Sequence, residues 1–226
     1  MSYNLDFGFF RMIKLKKNKI QGEKIIVKKF YIGENKYLEQ KVLAFYNCDY
    51  VGYQKQGNPD FINHLKNMTN QYNELDLVED FVQVSERFVK DMESLFDKGD
   101  YKNFTVCVMP RSKRENKYKQ SQLMFKKAIS SCANKLGFIN GTEAITRVKD
   151  TKTTHNWRLE NNTGDNPYKG ITKDTCSFDL SKIKGKNIIL VDDIYTEGVN
   201  VIEDCIQYLF DLGAKSVILY VTAKTR

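Results

Sequence analysis

The stretch Asn187-Ile188-Ile189-Leu190-Val191-Asp192-Asp193-Ile194-Tyr195-Thr196-Glu197-Gly198-Val199-Asn200 decides how this chain is read. Ile188 to Val191 are four consecutive apolar residues, which predicts a buried strand. Two adjacent aspartates follow at its carboxyl end. A short turn containing Gly198 then opens an amphipathic helix over 199–212, stopped by Gly213. In open α/β sheets, ligands bind outside the carboxyl ends of strands. The free N–H groups at a helix N-terminus are a ready phosphate site. Two carboxylates beside that site repel a phosphate unless they hold something else, and sugar hydroxyls or a hydrated Mg²⁺ are their natural partners. The expected ligand is therefore a phosphorylated sugar. Its phosphate is expected on Thr196, Glu197, Gly198, Val199 and Asn200, and its ring hydroxyls near Asp192 and Asp193. A plain helix cap would not call for two acids after a buried strand.

Working outward, the flanking segments repeat the strand–helix alternation. Phe104 to Met109 is an apolar run ended by Pro110, and 142–148 reads as a second strand. Between them, Leu123, Met124, Ile129, Cys132, Ala133 and Leu136 share one helix face within 120–136, with Gly137 as the stop. Residues 186–191 and 216–222 give the third and fourth strands. Strand–helix–strand order predicts an α/β fold, a central parallel sheet flanked by helices around a Rossmann-like core. Residues 150–170 are almost free of apolar side chains, and a loop of that length is usually functional.

The first half is less regular. Residues 24–32 read as a strand and 37–46 as a strand or short helix, while 48–75 show no period. From Val78 the apolar positions 78, 81, 82, 88, 89, 92, 95 and 96 have helical spacing, stopped at 97–100. This divides the chain into an α+β subdomain or hood, 1–99, and a core, 100–226.

The 226 residues are 41% hydrophobic and 28% charged, which suits a folded domain and excludes wholesale disorder. No run approaches the roughly 20 apolar residues of a membrane span, and no apolar block precedes a small-residue cleavage site, so neither a membrane anchor nor a signal peptide is expected. The five cysteines form no Cys-x-x-Cys pair, so zinc ribbons and a disulfide framework are not expected. The net charge of +8 is clustered. Eight basic residues lie between Arg11 and Lys29, seven between Arg111 and Lys127, and four between Arg147 and Arg158. Each cluster contains a single acid. The first cluster reads as a solvated face or a nucleic-acid contact, although no standard nucleic-acid module is present. The other two stand beside predicted strand ends, where bound phosphate is the expectation. His64 reads as structural.

The segment around the aspartate pair resembles the phosphoribosyl-pyrophosphate (PRPP) binding motif of type I phosphoribosyltransferases. That motif is a hydrophobic strand, two acids, two hydrophobic residues and Thr-Thr-Gly-x-Thr. Ile189 to Val191 match the strand, Asp192 and Asp193 the acids, Ile194 and Tyr195 the next pair, and Thr196 and Gly198 the loop. Glu197 and Asn200 depart, each standing where the family has Thr. The run Pro110-Arg111-Ser112-Lys113-Arg114 falls where the family binds pyrophosphate, and Arg forks suit two phosphates. Residues 117–129 are similar to the helix start of competence-protein-type members, without their zinc-binding cysteines.

The resemblance implies a transferase that joins phosphoribose to a nitrogen acceptor, usually a nucleobase, and releases pyrophosphate, with Mg²⁺ as cofactor. It implies that Asp192 and Asp193 hold ribose hydroxyls and meet Mg²⁺ indirectly, that Arg111, Ser112, Lys113 and Arg114 bind pyrophosphate, and that a mobile loop carrying Lys152, His155 and Arg158 closes over the site. Trp157 could cover the site or anchor the loop. A cytoplasmic homo-oligomer, such as a homodimer, is expected. The competing expectation is a non-catalytic PRPP- or nucleotide-sensing protein on the same fold, binding nucleic acid through Arg11–Lys29. A P-loop protein is disfavoured, since its Gly-x-x-x-x-Gly-Lys-Ser/Thr motif is absent. The acceptor is not legible.

Overall fold

The computed structural model describes residues 27–154 and 162–226. Among the described residues, eight strands and five α-helices make a three-layer α/β fold. The strands are β1 (Lys28–Ile32), β2 (Val42–Tyr50), β3 (Phe104–Val108), β4 (Ile139–Asn140), β5 (Ile145–Arg147), β6 (Cys176–Phe178), β7 (Asn187–Tyr195) and β8 (Ser216–Thr225). The helices are α1 (Asp60–Lys66), α2 (Val78–Leu95), α3 (Met124–Leu136), α4 (Leu180–Ile183) and α5 (Val201–Asp211).

Six strands form one sheet in the order β1-β2-β8-β7-β3-β4. All neighbours are parallel except β1, which runs antiparallel to β2 at the edge. The central strand β7 is apolar on both sides because both its faces are covered. Ile189 and Val191 join the core under α1, α2 and α3, and Ile188 and Leu190 join the core under α5. This two-sided burial is what the unbroken apolar run in the sequence encodes.

The helices follow their periodicity. In α2 the residues Val84, Phe88, Met92 and Leu95 are buried while Val82 stays exposed. Helix α3 ends at Gly137, whose φ of +85° supplies the left-handed cap.

Two expectations need correction. The described residues 27–99 do not stand apart from the core: β2 lies inside the main sheet, with Ala44 paired to Leu219 and Tyr46 to Val221. A buried network fastens it there, since Asp91 of α2 accepts hydrogen bonds from Asn47 Nδ2 and Tyr220 OH, each 2.8 Å. The strand expected over 142–148 is also not in the parallel sheet. The chain meets β3 through the two-residue β4 and through Gly141 N, which donates to Val106 O, then turns, with Ala144 N donating to Gly141 O. A Cβ on Gly141 would lie 2.4 Å from Thr105 Cγ2, so the crossing over β3 is as close as glycine permits. Beyond the turn, β5 pairs with β6 in a separate antiparallel ribbon.

Four of the five cysteines are buried and all are unpaired thiols. No helix among the described residues is long and apolar enough to cross a membrane.

Candidate functional site

Strands β3 and β7 are hydrogen-bonded neighbours, so the segments that follow them emerge side by side at one end of the sheet. A cleft of about 200 Å³ opens there. It is lined by Arg111 and Ser112 from the first segment, by Asp192, Asp193, Thr196 and Val199 from the second, and by Lys66, Arg147 and Lys152.

The two aspartates sit at the end of β7, both partly buried. Asp193 N donates to Asp192 Oδ1 at 2.9 Å. Asp193 Oδ1 is 3.0 Å from the ammonium of Lys66, the last residue of α1. Burial first, and then the charge of Asp193, pushes the Asp192 carboxyl well above the ordinary carboxylate range, against the opposing pull of Lys66 and Arg111.

The loop after β7 is a tight turn: Val199 N donates to Thr196 O at 3.1 Å and Gly198 has φ of +83°. That value at the third turn position is the reason for glycine, because the space around a Cβ there is open. Thr196 and Val199 line the cleft, and Thr196 Oγ1 is 2.7 Å from Thr225 Oγ1. Glu197 and Gly198 are exposed and, with Asn200, are not among the lining residues. The exposure of Glu197 lets its carboxylate sit in water. The acids in the first turn of α5 also face inward: Tyr195 OH donates to buried Glu203, and Asp204 accepts from Ile171 N.

The segment after β3 is held by its own hydrogen bonds. Arg111 Nη1 donates to the carbonyls of Lys66 and Gln122, and its guanidinium lies over the Tyr118 ring at 4.2 Å. Ser112 O accepts from Thr151 N at 2.7 Å. Lys113 Nζ donates to the carbonyls of Thr151 and Thr163, and burial lowers its pKa. Arg114 pairs with Asp150 through both its N–H and its Nε. Of the four residues expected to bind pyrophosphate, Arg111 and Ser112 line the cleft; Lys113 and Arg114 do not, because they clamp the base of the 150–170 loop. That base is zipped by Lys152 N to Asp165 O and Asp165 N to Asp150 O. Lys152 lines the cleft, while His155, Trp157 and Arg158 lie outside the described residues. His64 is structural, with Nδ1 3.2 Å from Asp80 Oδ2.

Sequence reasoning missed Lys66 and Arg147 as site residues. Lys66 sits in a stretch without periodicity, and only the fold brings it to Asp193. Arg147 was visible as the first member of a basic cluster at a strand end. No family model matches this chain, and no curated protein matches it.

Proposed function

We propose that this chain is a phosphoribosyltransferase, which uses PRPP and Mg²⁺ to attach phosphoribose to a nitrogen acceptor, a nucleobase by preference, with release of pyrophosphate. The observation that carries the reading is the convergence of an aspartate pair, a glycine turn with a threonine hydroxyl and arginine on one cleft at the carboxyl ends of β3 and β7.

The chemistry asks little covalent work of the protein. The acceptor nitrogen forms a bond to the anomeric carbon, the bond from that carbon to the pyrophosphate oxygen breaks, and pyrophosphate leaves with the electron pair. The nitrogen's proton goes to solvent. Catalysis is then positioning and charge placement. Asp192 and Asp193 hold ribose hydroxyls and face the cationic character that develops at the anomeric carbon. Thr196 and the backbone N–H groups of 197 and 198 receive the 5′-phosphate. Arg111 faces the departing pyrophosphate.

Asp192 and Asp193 are hard oxygen donors that fit Mg²⁺ through water or ribose hydroxyls. Lys66 already stands 3.0 Å from Asp193, and no group of three or more metal-binding side chains occurs among the described residues. When bound, Mg²⁺ supplies neutralisation of the diphosphate charge.

The test is pyrophosphate release from PRPP, Mg²⁺ and a panel of nucleobases. Turnover is expected for the wild type and not for the folded D192N/D193N double variant; undiminished turnover in that variant would sink the assignment. The second reading, a PRPP sensor without turnover, draws on the engagement of Lys113 and Arg114 within the protein. Saturable PRPP binding with no pyrophosphate release across the panel would decide for it.

A further inference from the structure

The cations around the cleft divide sharply by counter-charge. Lys66 pairs with Asp193, Lys126 with Glu115 and Glu143, and Arg114 with Asp150. Arg111, Arg147 and Lys152 differ: none has a carboxylate within ion-pair reach among the described residues, and all three line the cleft, but only the two arginines offer a fork of donors. Arg111 donates to the carbonyls of Lys66 and Gln122. Arg147 donates from Nε to Arg111 O at 3.0 Å and from Nη1 to Gly170 O. The acids that feel them are Asp192, held up by burial, for Arg111, and Asp204, also held up by burial, for Arg147.

Arg147 is only 4% exposed. A buried guanidinium without a counter-charge is costly unless other groups satisfy it. Main-chain carbonyls satisfy part of it, yet each guanidinium carries five N–H donors in a fixed fork. Among the described residues, the Nη2 groups of both arginines have no hydrogen-bond acceptor. Two adjacent forks with free donors and no carboxylate suit a ligand with several anionic oxygens on neighbouring centres.

We propose that Arg111 and Arg147 together form the diphosphate-binding element of the cleft, with Arg147 supplying the second guanidinium and Lys113 and Arg114 serving the loop instead. The inference rests on the phosphoribosyltransferase reading for the origin of the diphosphate, the pyrophosphate arm of PRPP. It removes two residues of the basic loop from ligand contact and adds one from the end of β5. The Nε to Arg111 carbonyl bond makes Arg147 a support for the first guanidinium as well as a ligand contact.

The experiment is calorimetric titration of the full chain with inorganic pyrophosphate and, separately, with PRPP, each with Mg²⁺. R147M is expected to weaken pyrophosphate binding about tenfold or more, the scale of a lost charge-assisted hydrogen-bond pair, and R114M by less than about twofold. R147K preserves the charge without the fork and is expected to fall between R147M and wild type. Should R147M fail to fold, the arginine Nε–H resonances of the wild type carry the test. Those of Arg111 and Arg147 are expected to move on adding pyrophosphate while that of Arg114 stays. Unchanged affinity in R147M, movement of the Arg114 resonance alone, or no pyrophosphate binding by the wild type would overturn the proposal. Pyrophosphate binding that depends on Arg147, without PRPP binding, would uphold the site and overturn the phosphoribosyltransferase reading. PRPP turnover that ignores R147M would do the reverse.

Discussion

The ammonium of Lys66 stands 3.0 Å from Asp193 Oδ1, joining the end of α1 to the acid pair at the end of β7. Both side chains are largely shielded from solvent, so the pair is worth more than a surface ion pair. Removing Lys66 leaves Asp193 beside Asp192 without its nearest positive charge. The K66M chain is expected to lose stability, and D193N in that background to restore part of it. A double-mutant cycle by urea unfolding should give a coupling of about 1 kcal/mol. Additive effects would mean that the contact contributes nothing.

Asp192 gives a pH dependence. Its carboxyl is raised by burial and by Asp193, so the native chain keeps a proton that the unfolded chain releases above about pH 4. Stability from this group therefore falls as pH rises from there to the raised native value. D192N removes the effect. Urea unfolding should show the stability of D192N relative to wild type improving between pH 5 and pH 8. A constant difference would contradict the assigned shift.

Gly198 tests the turn that carries the expected phosphate contacts. At φ of +83° with open space around it, the cost of alanine is conformational alone, about 1 kcal/mol. G198A should lose that much stability and bind PRPP more weakly, as seen by titration. Wild-type stability and affinity together would rule out a required left-handed residue.

The buried network of Asp91, Tyr220 and Asn47, none of which lines the cleft, predicts a stability defect. Burial raises the Asp91 pKa to about 6, and the donors Tyr220 and Asn47 hold it from rising further. Native Asp91 thus retains its proton between about pH 4 and 6, where its contribution falls with pH. Y220F deletes a donor to the ionised carboxylate and should cost about 1–3 kcal/mol at pH 7. The cost should shrink at pH 4.5, where Asp91 is neutral. Equal costs at the two values would place the effect in packing rather than in the hydrogen bond.

The legible part of the fold is the part whose burial is symmetric or periodic. β7 announces itself because both its faces are covered, and α2 and α3 because one face of each is. The position of β2 is not legible, since its parallel neighbour β8 lies at the far end of the chain and leaves no local trace. Residues 142–148 mislead because Ala144, Ile145 and Val148 look like any strand, and the sequence does not say which sheet a short strand joins. In the site, the acid pair and Thr196 are legible from their register after β7. Lys66 is not, because a lysine ending a seven-residue helix looks like any solvated charge until the fold sets it against Asp193.

The pairing of β2 with β8 also bears on the order in which the protein can be built. β2 is made well before its second neighbour, β8, with the strands β3 to β7 between them in the chain. Until β8 is made, the β1–β2 hairpin therefore carries an open edge, with Leu43 and Phe45 awaiting helices and strands still to come. A chain cut short before residue 216 would lose the strand between β2 and β7, splitting the sheet in two. Ribosome-bound chains ending there should be protease-sensitive throughout, and protection should arise in one step once β8 emerges.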